Sequence, residues 1–325
     1  MNERITPFSR VDADQLRKQQ PTFSADQKAA IKTAPRLLKN YLYHYGFDQL
    51  FEPQRPLNYD LCFHSWADHQ IALHTWRQAT ARGTVMLAHG LFDHTGLYLK
   101  LVKRLLLEDY SVVSLDLPGH GLSSGERVAI QSFSQYSAVL AACLKHCQQQ
   151  LPAPYFAVGQ STGAAAIMGL LIDPERSADV QKTVLLAPLV RVRGWPRILL
   201  AHALLKHFIK NVPRRFAVNS HDKNFLHFLA HKDPMQTRYI DVPWINAMHT
   251  WANNFKNSAP VDKSVFVIQG TADTTVDWRW NMPLIAEKFP QSNARYIESG
   301  LHHLVNEAEP WRGQIFDALC DYLDT

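Results

Sequence analysis

From about residue 60 onward, short continuous runs of apolar residues alternate with longer stretches whose apolar residues recur at helical spacing. The runs predict eight strands, at 60–66, 70–76, 84–88, 111–115, 155–158, 183–187, 265–268 and 294–297. The longer stretches predict amphipathic helices at 97–107, 131–149 and 308–323. Continuous apolar strands are buried on both faces. The alternation therefore predicts an α/β class fold, with a mostly parallel sheet covered by helices on both faces.

Residues 1–55 precede this region and have a different pattern. The sequence at 24–27 (SADQ) fits a helix capping box, and apolar residues recur at helical spacing over 31–45. Gly46 is suited to ending that helix. We expect an N-terminal helical extension that packs on the body of the protein.

The alternation also breaks between about residues 190 and 255, where the chain looks helical and irregular and has no buried-strand pattern. Because this stretch lies between two sheet strands, it is interpreted as an insertion above the carboxyl edge of the sheet, where open α/β sheets bind ligands. The predicted organisation is an extension (1–55), a core (56–190 and 256–325) and a cap or lid (191–255).

The length allows one large α/β domain with an insertion or two smaller domains, and a content of 46% apolar and 19% charged residues supports a substantial core. The four cysteines form no CxxC pair or zinc spacing, and the His, Asp and Cys residues show no convincing metal-ligand spacing, so neither a metal nor another cofactor is expected. Cys143 and Cys147 are four residues apart and should pack on one helix face. The N-terminus lacks an apolar signal core, and no stretch has transmembrane length, which predicts a reduced, cytoplasmic protein.

Ser161 lies at the centre of the pentapeptide Gly-Gln-Ser-Thr-Gly, between the predicted strand 155–158 and a small-residue run at 164–168. A strand, a sharp turn and a helix in this order are typical of a nucleophile turn, in which small flanking residues prevent collisions. The alternative for the motif alone is a glycine-rich turn with an incidental serine. A serine nucleophile also needs a base, an orienting acid and oxyanion donors, so the rest of the chain decides.

Candidates for the acid and the base follow the last two strands. Asp273 comes after strand 265–268, and His302 comes after the final strand and a glycine. Asp277 is a competing acid, but it falls at the start of a predicted helix and should face solvent or the helix dipole. His303 is the rival base. The order Ser161, Asp273, His302 at successive strand ends favours these three residues.

The oxyanion donors are expected to be backbone groups. The loop after strand 84–88 and the residue after the nucleophile are the usual contributors, which predicts the N–H groups of Leu91 and Thr162. His89 is interpreted as a residue that braces this loop, because the base belongs after the last strand. His120 is interpreted as a turn-packing residue.

Five short segments of the chain together resemble the α/β-hydrolase superfamily, and more narrowly the monoacylglycerol lipase and bacterial lysophospholipase group. They are residues 89–96 (HGLFDHTG), 116–125 (DLPGHGLSSG), 159–163 (GQSTG), 270–273 (GTAD) and 302–307 (HHLVNE). The resemblance covers roughly residues 60–325 and implies an eight-stranded sheet, a lid over an acyl pocket and the Ser161–Asp273–His302 triad. At the turn, the group commonly has Gly-His-Ser-Met-Gly-Gly. In this chain Gln160 replaces the His, Thr162 replaces the Met and Ala164 replaces the last Gly.

Charge is concentrated in the cap. The overall formal charge of +5 is too small to indicate nucleic acid, but residues 191–232 carry nine Lys or Arg and one Asp, a net +8, which leaves −3 for the rest of the chain. An apolar stripe of Ile198, Leu205, Phe208 and Ile209 lies among these charges. The stripe either packs on the sheet or lies on an anionic membrane surface, which would place the protein at the inner membrane face.

The sequence therefore predicts a cofactor-independent serine hydrolase of carboxylic esters that acts through an acyl-enzyme on a small-molecule or lipid ester. A monoacylglycerol lipase or lysophospholipase activity is favoured. The same apparatus could serve a peptidase, a lactonase or an acyltransferase. A binding protein without catalysis is the alternative from another class, disfavoured because all three triad residues are present. A dehalogenase or epoxide hydrolase would carry aspartate in place of Ser161.

Overall fold

A nine-stranded mixed sheet forms the centre of the computed structural model, which describes residues 7–51, 56–174, 180–214 and 216–325. Its strands are β1 (Phe23–Ala25), β2 (Leu57–Trp66), β3 (His69–Gln78), β4 (Thr84–Ala88), β5 (Ser111–Leu115), β6 (Tyr155–Gln160), β7 (Val180–Leu186), β10 (Val265–Gly270) and β11 (Asn293–Ile297). Their order is β1-β2-β3-β5-β4-β6-β7-β10-β11. The pairs β1–β2, β2–β3 and β3–β5 are antiparallel, and the other pairs are parallel.

All eight strands predicted from the apolar runs are present. The sheet nevertheless has one strand more than the predicted eight, because the three-residue β1 of the N-terminal segment pairs with β2. Ala88 at the end of β4 is in register with Leu115 of β5 and Gly159 of β6. The carboxyl ends of the central strands therefore meet at one edge, where their following loops converge.

Eleven α-helices occur in the described part of the chain. They are α1 (Arg10–Gln19), α2 (Lys28–Ile31), α3 (Arg36–His44), α4 (Leu99–Leu107), α5 (Phe133–Cys147), α6 (Thr162–Ile172), α7 (Trp195–Leu205), α8 (Lys223–His231), α9 (Val242–Asn257), α10 (Trp278–Lys288) and α11 (Trp311–Asp324). Two apolar clusters lie on the two sheet faces. On β4, Val85 and Leu87 belong to one cluster and Met86 and Ala88 to the other, as strand alternation requires.

The N-terminal segment packs on the first of these clusters through α1 and α3. The capping box predicted at 24–27 is wrong: Ser24 lies in β1 and its hydroxyl donates to Asp60, and the N-cap residue of α2 makes no side-chain cap bond. A capping box occurs instead at Ser9 and Asp12, where it starts α1. The predicted extension also includes residues 1–6 and 52–55, which lie outside the described residues.

The segment predicted as a cap contains α7, α8 and most of α9. It also contains a small antiparallel pair, β8 (Asn211–Pro213) and β9 (Tyr239–Asp241). The sequence did not predict this pair, because three-residue strands at the surface carry no apolar run. Trp251 of α9 stacks on Phe133 of α5, which ties this segment to the core. Cys143 and Cys147 are buried on one face of α5, as predicted.

Candidate active site

The turn between β6 and α6 holds Ser161 in a backbone conformation that side chains rarely adopt, with φ 54° and ψ −110°. Such a conformation costs about 1–3 kcal/mol and persists only where the surroundings hold it. The Ser161 N–H donates to the Leu186 carbonyl of β7 at 2.8 Å. A Cβ on Gly163 would collide with the backbone of β4, and one on Gly159 would collide with the start of α6. The glycines are therefore required by close backbone approach, as the sequence motif indicated.

Ser161, His302 and Asp273 are joined by two hydrogen bonds. The Ser161 Oγ lies 3.0 Å from His302 Nε2, and His302 Nδ1 lies 2.7 Å from Asp273 Oδ2. Because a carboxylate only accepts, Nδ1 carries the proton and Nε2 is free to accept from the serine hydroxyl. All three side chains are buried. This is the arrangement in which an imidazole can remove a proton from a serine.

Electrostatics favour a charged imidazole next to Asp273. Burial by itself lowers the pKa of His302, but the adjacent Asp273 carboxylate outweighs it, and the pKa of His302 is raised above its usual value. Burial likewise acts to raise the pKa of Asp273, yet His302 and the hydrogen bonds to the carboxylate lower it. Those bonds come from the Thr275 N–H at 2.7 Å, the Val276 N–H at 3.2 Å and the Gln269 amide at 3.1 Å.

The rival acid and base have other partners. Asp277 begins α10 and accepts two hydrogen bonds from the Arg191 guanidinium, at 2.7 and 2.9 Å. The His303 ring lies 3.2 Å from an Asp93 oxygen and packs edge-on against Phe225. Neither residue makes a hydrogen bond to Ser161 within the described chain.

His89 and His120 both lie in buried loops behind the turn. His89 Nδ1 donates to the Gly90 carbonyl at 2.8 Å, and His89 Nε2 accepts from the Leu117 N–H at 2.9 Å. His120 Nδ1 donates to the Pro118 carbonyl at 2.9 Å, and burial lowers its pKa to about 3. Both rings are therefore neutral and hold loops in place, in agreement with their interpretation as structural residues.

The backbone N–H groups of Leu91 and Thr162 belong to residues that line the same cavity as Ser161. No hydrogen bond within the described residues occupies either N–H group. The loop that carries Leu91 is braced by Tyr98, whose hydroxyl accepts from the Gly90 N–H at 3.1 Å and donates to Asp93 at 3.1 Å. Two free donors are thus available for an oxygen beside Ser161.

Sequence reasoning assigned no role to the side chain of Gln160. Its amide donates to the backbone carbonyl of His302 at 2.9 Å, which ties the nucleophile turn to the histidine loop. Gln269 plays a similar part for Asp273. The sequence did contain a signal for both residues, because each is a polar residue at the end of an apolar strand. A polar side chain buried at that position needs a hydrogen-bond partner.

A cavity of about 600 Å³ opens over Ser161. Its lining combines residues of the sheet-edge loops with Ile198, Leu226, Trp244 and Met248 from the segment predicted as a cap. Its volume lies within the usual range for small-molecule sites, and its lining is mainly apolar. The cavity therefore suits a substrate with a large apolar part and one reacting polar group.

The chain matches a known family model and is similar in sequence to known proteins. The family model described as serine aminopeptidase, S33, matches residues 79–309. Human monoglyceride lipase is 25% identical over 244 residues, which cover 71% of this chain and 78% of that protein. The rat monoglyceride lipase is 30% identical over 117 residues, 35% of this chain and 38% of that protein.

Solved structures show the same fold. A soluble variant of monoglyceride lipase from Saccharomyces cerevisiae superposes with a TM-score of 0.71 at 20% identity, covering 81% of this chain and 94% of that one. Paleococcus ferrophilus monoacylglycerol lipase gives a TM-score of 0.68 at 20% identity, covering 78% and 98%. The predicted α/β-hydrolase fold is confirmed.

Proposed function

The chain belongs to the serine aminopeptidase (S33) family of α/β-hydrolases, and on that premise we propose that it is a serine hydrolase of carboxylic esters. The observation that carries the proposal is the hydrogen-bonded series Ser161–His302–Asp273 beneath a mainly apolar cavity. Serine hydroxyls are weak nucleophiles unless a base is positioned to take their proton.

In the proposed mechanism, Ser161 Oγ attacks the ester carbonyl carbon while His302 Nε2 takes the hydroxyl proton. The carbonyl oxygen becomes an oxyanion that the N–H groups of Leu91 and Thr162 stabilise. His302 then gives its proton to the departing alcohol, which leaves an acyl-enzyme. Water attacks the acyl carbon, His302 takes and returns a proton, and the acid is released from a regenerated Ser161. Asp273 stabilises the imidazolium in both halves.

The substrate that we propose is a monoacyl lipid, either a monoacylglycerol or a lysophospholipid. Support comes from the apolar lining of the cavity and from the relatives, which carry the name monoglyceride lipase. The family name raises a peptidase as the second candidate. An aminopeptidase would hold a substrate amine with a carboxylate. Asp93 is the only Asp or Glu among the described lining residues, and its carboxylate already pairs with His303 and Tyr98.

A hydrolysis panel tests this proposal. Purified protein is given p-nitrophenyl esters of increasing chain length, a monoacylglycerol and a lysophospholipid, and is separately labelled with a fluorophosphonate. We expect turnover and labelling to vanish in Ser161→Ala and to persist in the control Ser65→Ala, which alters an exposed serine of β2. Activity on short activated esters alone would remove the lipid substrate, and absence of labelling in folded protein would favour a binding role.

We further propose that the cap contacts anionic membrane surfaces. Leu200, Leu204 and Phe208 are 63%, 64% and 84% exposed, so much of the apolar surface around α7 faces solvent among basic residues. Each basic group near an anionic surface contributes about 1 kcal/mol. The contact that we propose is peripheral. No helix in the described ranges has the length and apolarity to cross a bilayer.

Vesicle sedimentation tests the membrane proposal. Binding to phosphatidylglycerol vesicles is expected to weaken steeply as salt is raised, since exposed charges are screened within about 8 Å at physiological ionic strength. The double variant Leu204→Ser/Phe208→Ser should reduce binding and keep turnover of soluble esters. Salt-insensitive binding, or none, would contradict the proposal.

A further inference from the structure

Arg214 is the only Lys or Arg among the described residues that line the catalytic cavity. It follows β8 in the cap. Its guanidinium carbon lies 3.9 Å from the centre of the Phe92 ring and 4.5 Å from that of Phe216. Phe92 directly follows Leu91, the proposed oxyanion donor. The cation is therefore held between two aromatic side chains, beside the loop that faces the reacting carbonyl.

The guanidinium of Arg214 makes no salt bridge within the described chain, and the carboxylates of Asp93 and Asp233 attract it only from beyond ion-pair distance. Its Nη1 donates to neutral acceptors, the side-chain oxygen of Gln236 and, at 3.4 Å, the backbone carbonyl of Thr237. No hydrogen bond to a described residue occupies Nη2 or Nε. No described carboxylate makes an ion pair with it.

The two carboxylates that interact electrostatically with Arg214 are already paired with histidines. Asp93 pairs with His303 at 3.2 Å, and Asp233 pairs with His94 at 3.0 Å. Burial lowers the pKa of Arg214 to about 10, so the group remains cationic at neutral pH. A partly buried cation with no direct ion-pair partner, and with donors unused in a mainly apolar cavity, is costly unless a ligand supplies a closer anion.

We propose that Arg214 binds a negatively charged group on the substrate, so that the enzyme prefers monoacyl esters whose alcohol part carries a phosphate over neutral esters. This inference rests on the proposed ester hydrolysis and deepens it. The planar guanidinium fork matches phosphate oxygens, and charge-assisted hydrogen bonds of this kind are about twice as strong as neutral ones. Arg214 is a specificity residue in this account, and Ser161 and His302 carry out the chemistry on either substrate.

The test compares two short substrates that differ only by a phosphate group on the 3-hydroxyl, 1-butyrylglycerol and 1-butyrylglycerol 3-phosphate. Both are used as monomers in solution, so attraction of lipid aggregates to the basic cap does not contribute. Wild type, Arg214→Met and Arg214→Lys are compared, with Arg193→Met as a control cap arginine that is absent from the cavity lining.

For the phosphate ester, kcat/KM is expected to fall about 10- to 100-fold in Arg214→Met and less in Arg214→Lys, mainly through KM. For the neutral ester it should change less than about 3-fold. An equal fall on both esters would show that Arg214 only supports the cap through Gln236, and no change on either would also overturn the proposal. Turnover that survives Ser161→Ala would refute the proposed function instead.

A binding measurement keeps the inference testable without turnover. Hexyl phosphate is expected to raise the melting temperature of Ser161→Ala, but not that of Ser161→Ala/Arg214→Met, and hexanol should act equally on both. A measurement with inorganic phosphate alone distinguishes the two possible sources of the anion, a phosphate group on the substrate and free phosphate. Stabilisation by inorganic phosphate equal to that by hexyl phosphate would identify a free-phosphate site and overturn substrate recognition.

Discussion

The contact between Tyr45 and Asp233 joins the N-terminal segment to the base of the cap, and its removal should destabilise the protein measurably. The Tyr45 hydroxyl donates to Asp233 Oδ1 at 2.7 Å, and both groups are buried. Asp233 also accepts from the His94 ring, the Gln236 amide and the Met235 N–H. Gln236 in turn donates to the Phe92 carbonyl at 3.0 Å, so the network ends at the proposed oxyanion loop.

Tyr45→Phe deletes one hydrogen bond and keeps the ring that packs on Phe8 and His94. Because the acceptor is a charged, buried carboxylate, the free energy of unfolding should fall by about 1.5–3 kcal/mol. At about 2 °C per kcal/mol for a chain of this size, the melting temperature should fall by about 3–6 °C.

The sign of the pH dependence follows from Asp233. Burial acts to raise the pKa of this carboxyl, but His94 and the hydrogen bonds outweigh it and lower the pKa from 3.8 to about 2. A depressed pKa contributes stability that is present above pH 3.8 and lost as the pH falls through about 2. The difference between wild type and Tyr45→Phe should therefore be constant near neutral pH and shrink in that acidic range.

Thermal unfolding followed by circular dichroism at neutral pH measures this effect. Tyr43→Phe is the matched control, because Tyr43 lies in the last turn of α3, two residues before Tyr45, and its hydroxyl makes no hydrogen bond to a described residue. Equal melting temperatures for the two variants would refute the reasoning, and so would a difference that persists unchanged at low pH.

Four further substitutions test the site and its scaffold. Asp273→Asn should lower kcat about 10⁴-fold. Asp273 raises the pKa of His302, and protonation of this imidazole causes kcat/KM to fall at acidic pH. The midpoint of that fall should lie above pH 6.5 in wild type and at lower pH in the variant. Asp277→Asn should retain most activity in the same assay, and a loss as large as that of Asp273→Asn would exchange the two roles. Gly163→Ala should lower the melting temperature sharply or prevent folding, whereas Gly313→Ala in α11 should leave it unchanged or raised.

Local sequence patterns predicted the eight core strands and the turn that carries Ser161. The reason is that strand burial and a tight strand-to-helix turn leave their mark within a few consecutive residues. The three-residue strands β1, β8 and β9 escaped prediction because they are too short for such a pattern. The capping box at 24–27 failed because pairing with β2 placed Ser24 in a strand, and tertiary pairing overrides a local capping preference.

The sequence alone could not establish which of two neighbouring residues of the same type serves as the acid or the base. Asp273 and Asp277, like His302 and His303, are equivalent in residue type and nearly so in position, and the strand-end rule only ranked them. The structure separates them through contacts across the fold, since Arg191 engages Asp277 and Asp93 engages His303.

The sequence by itself determined the fold class, the positions of eight strands along the chain and the small set of residues able to form the site, because periodicity, turn chemistry and residue type are local properties. Only the tertiary structure decided which imidazole meets Ser161, that Phe208 is exposed, and that Arg214 lines the cavity without a salt bridge to a described residue. Those outcomes depend on distances between residues far apart in the chain, and packing, rather than any local pattern, determines these distances.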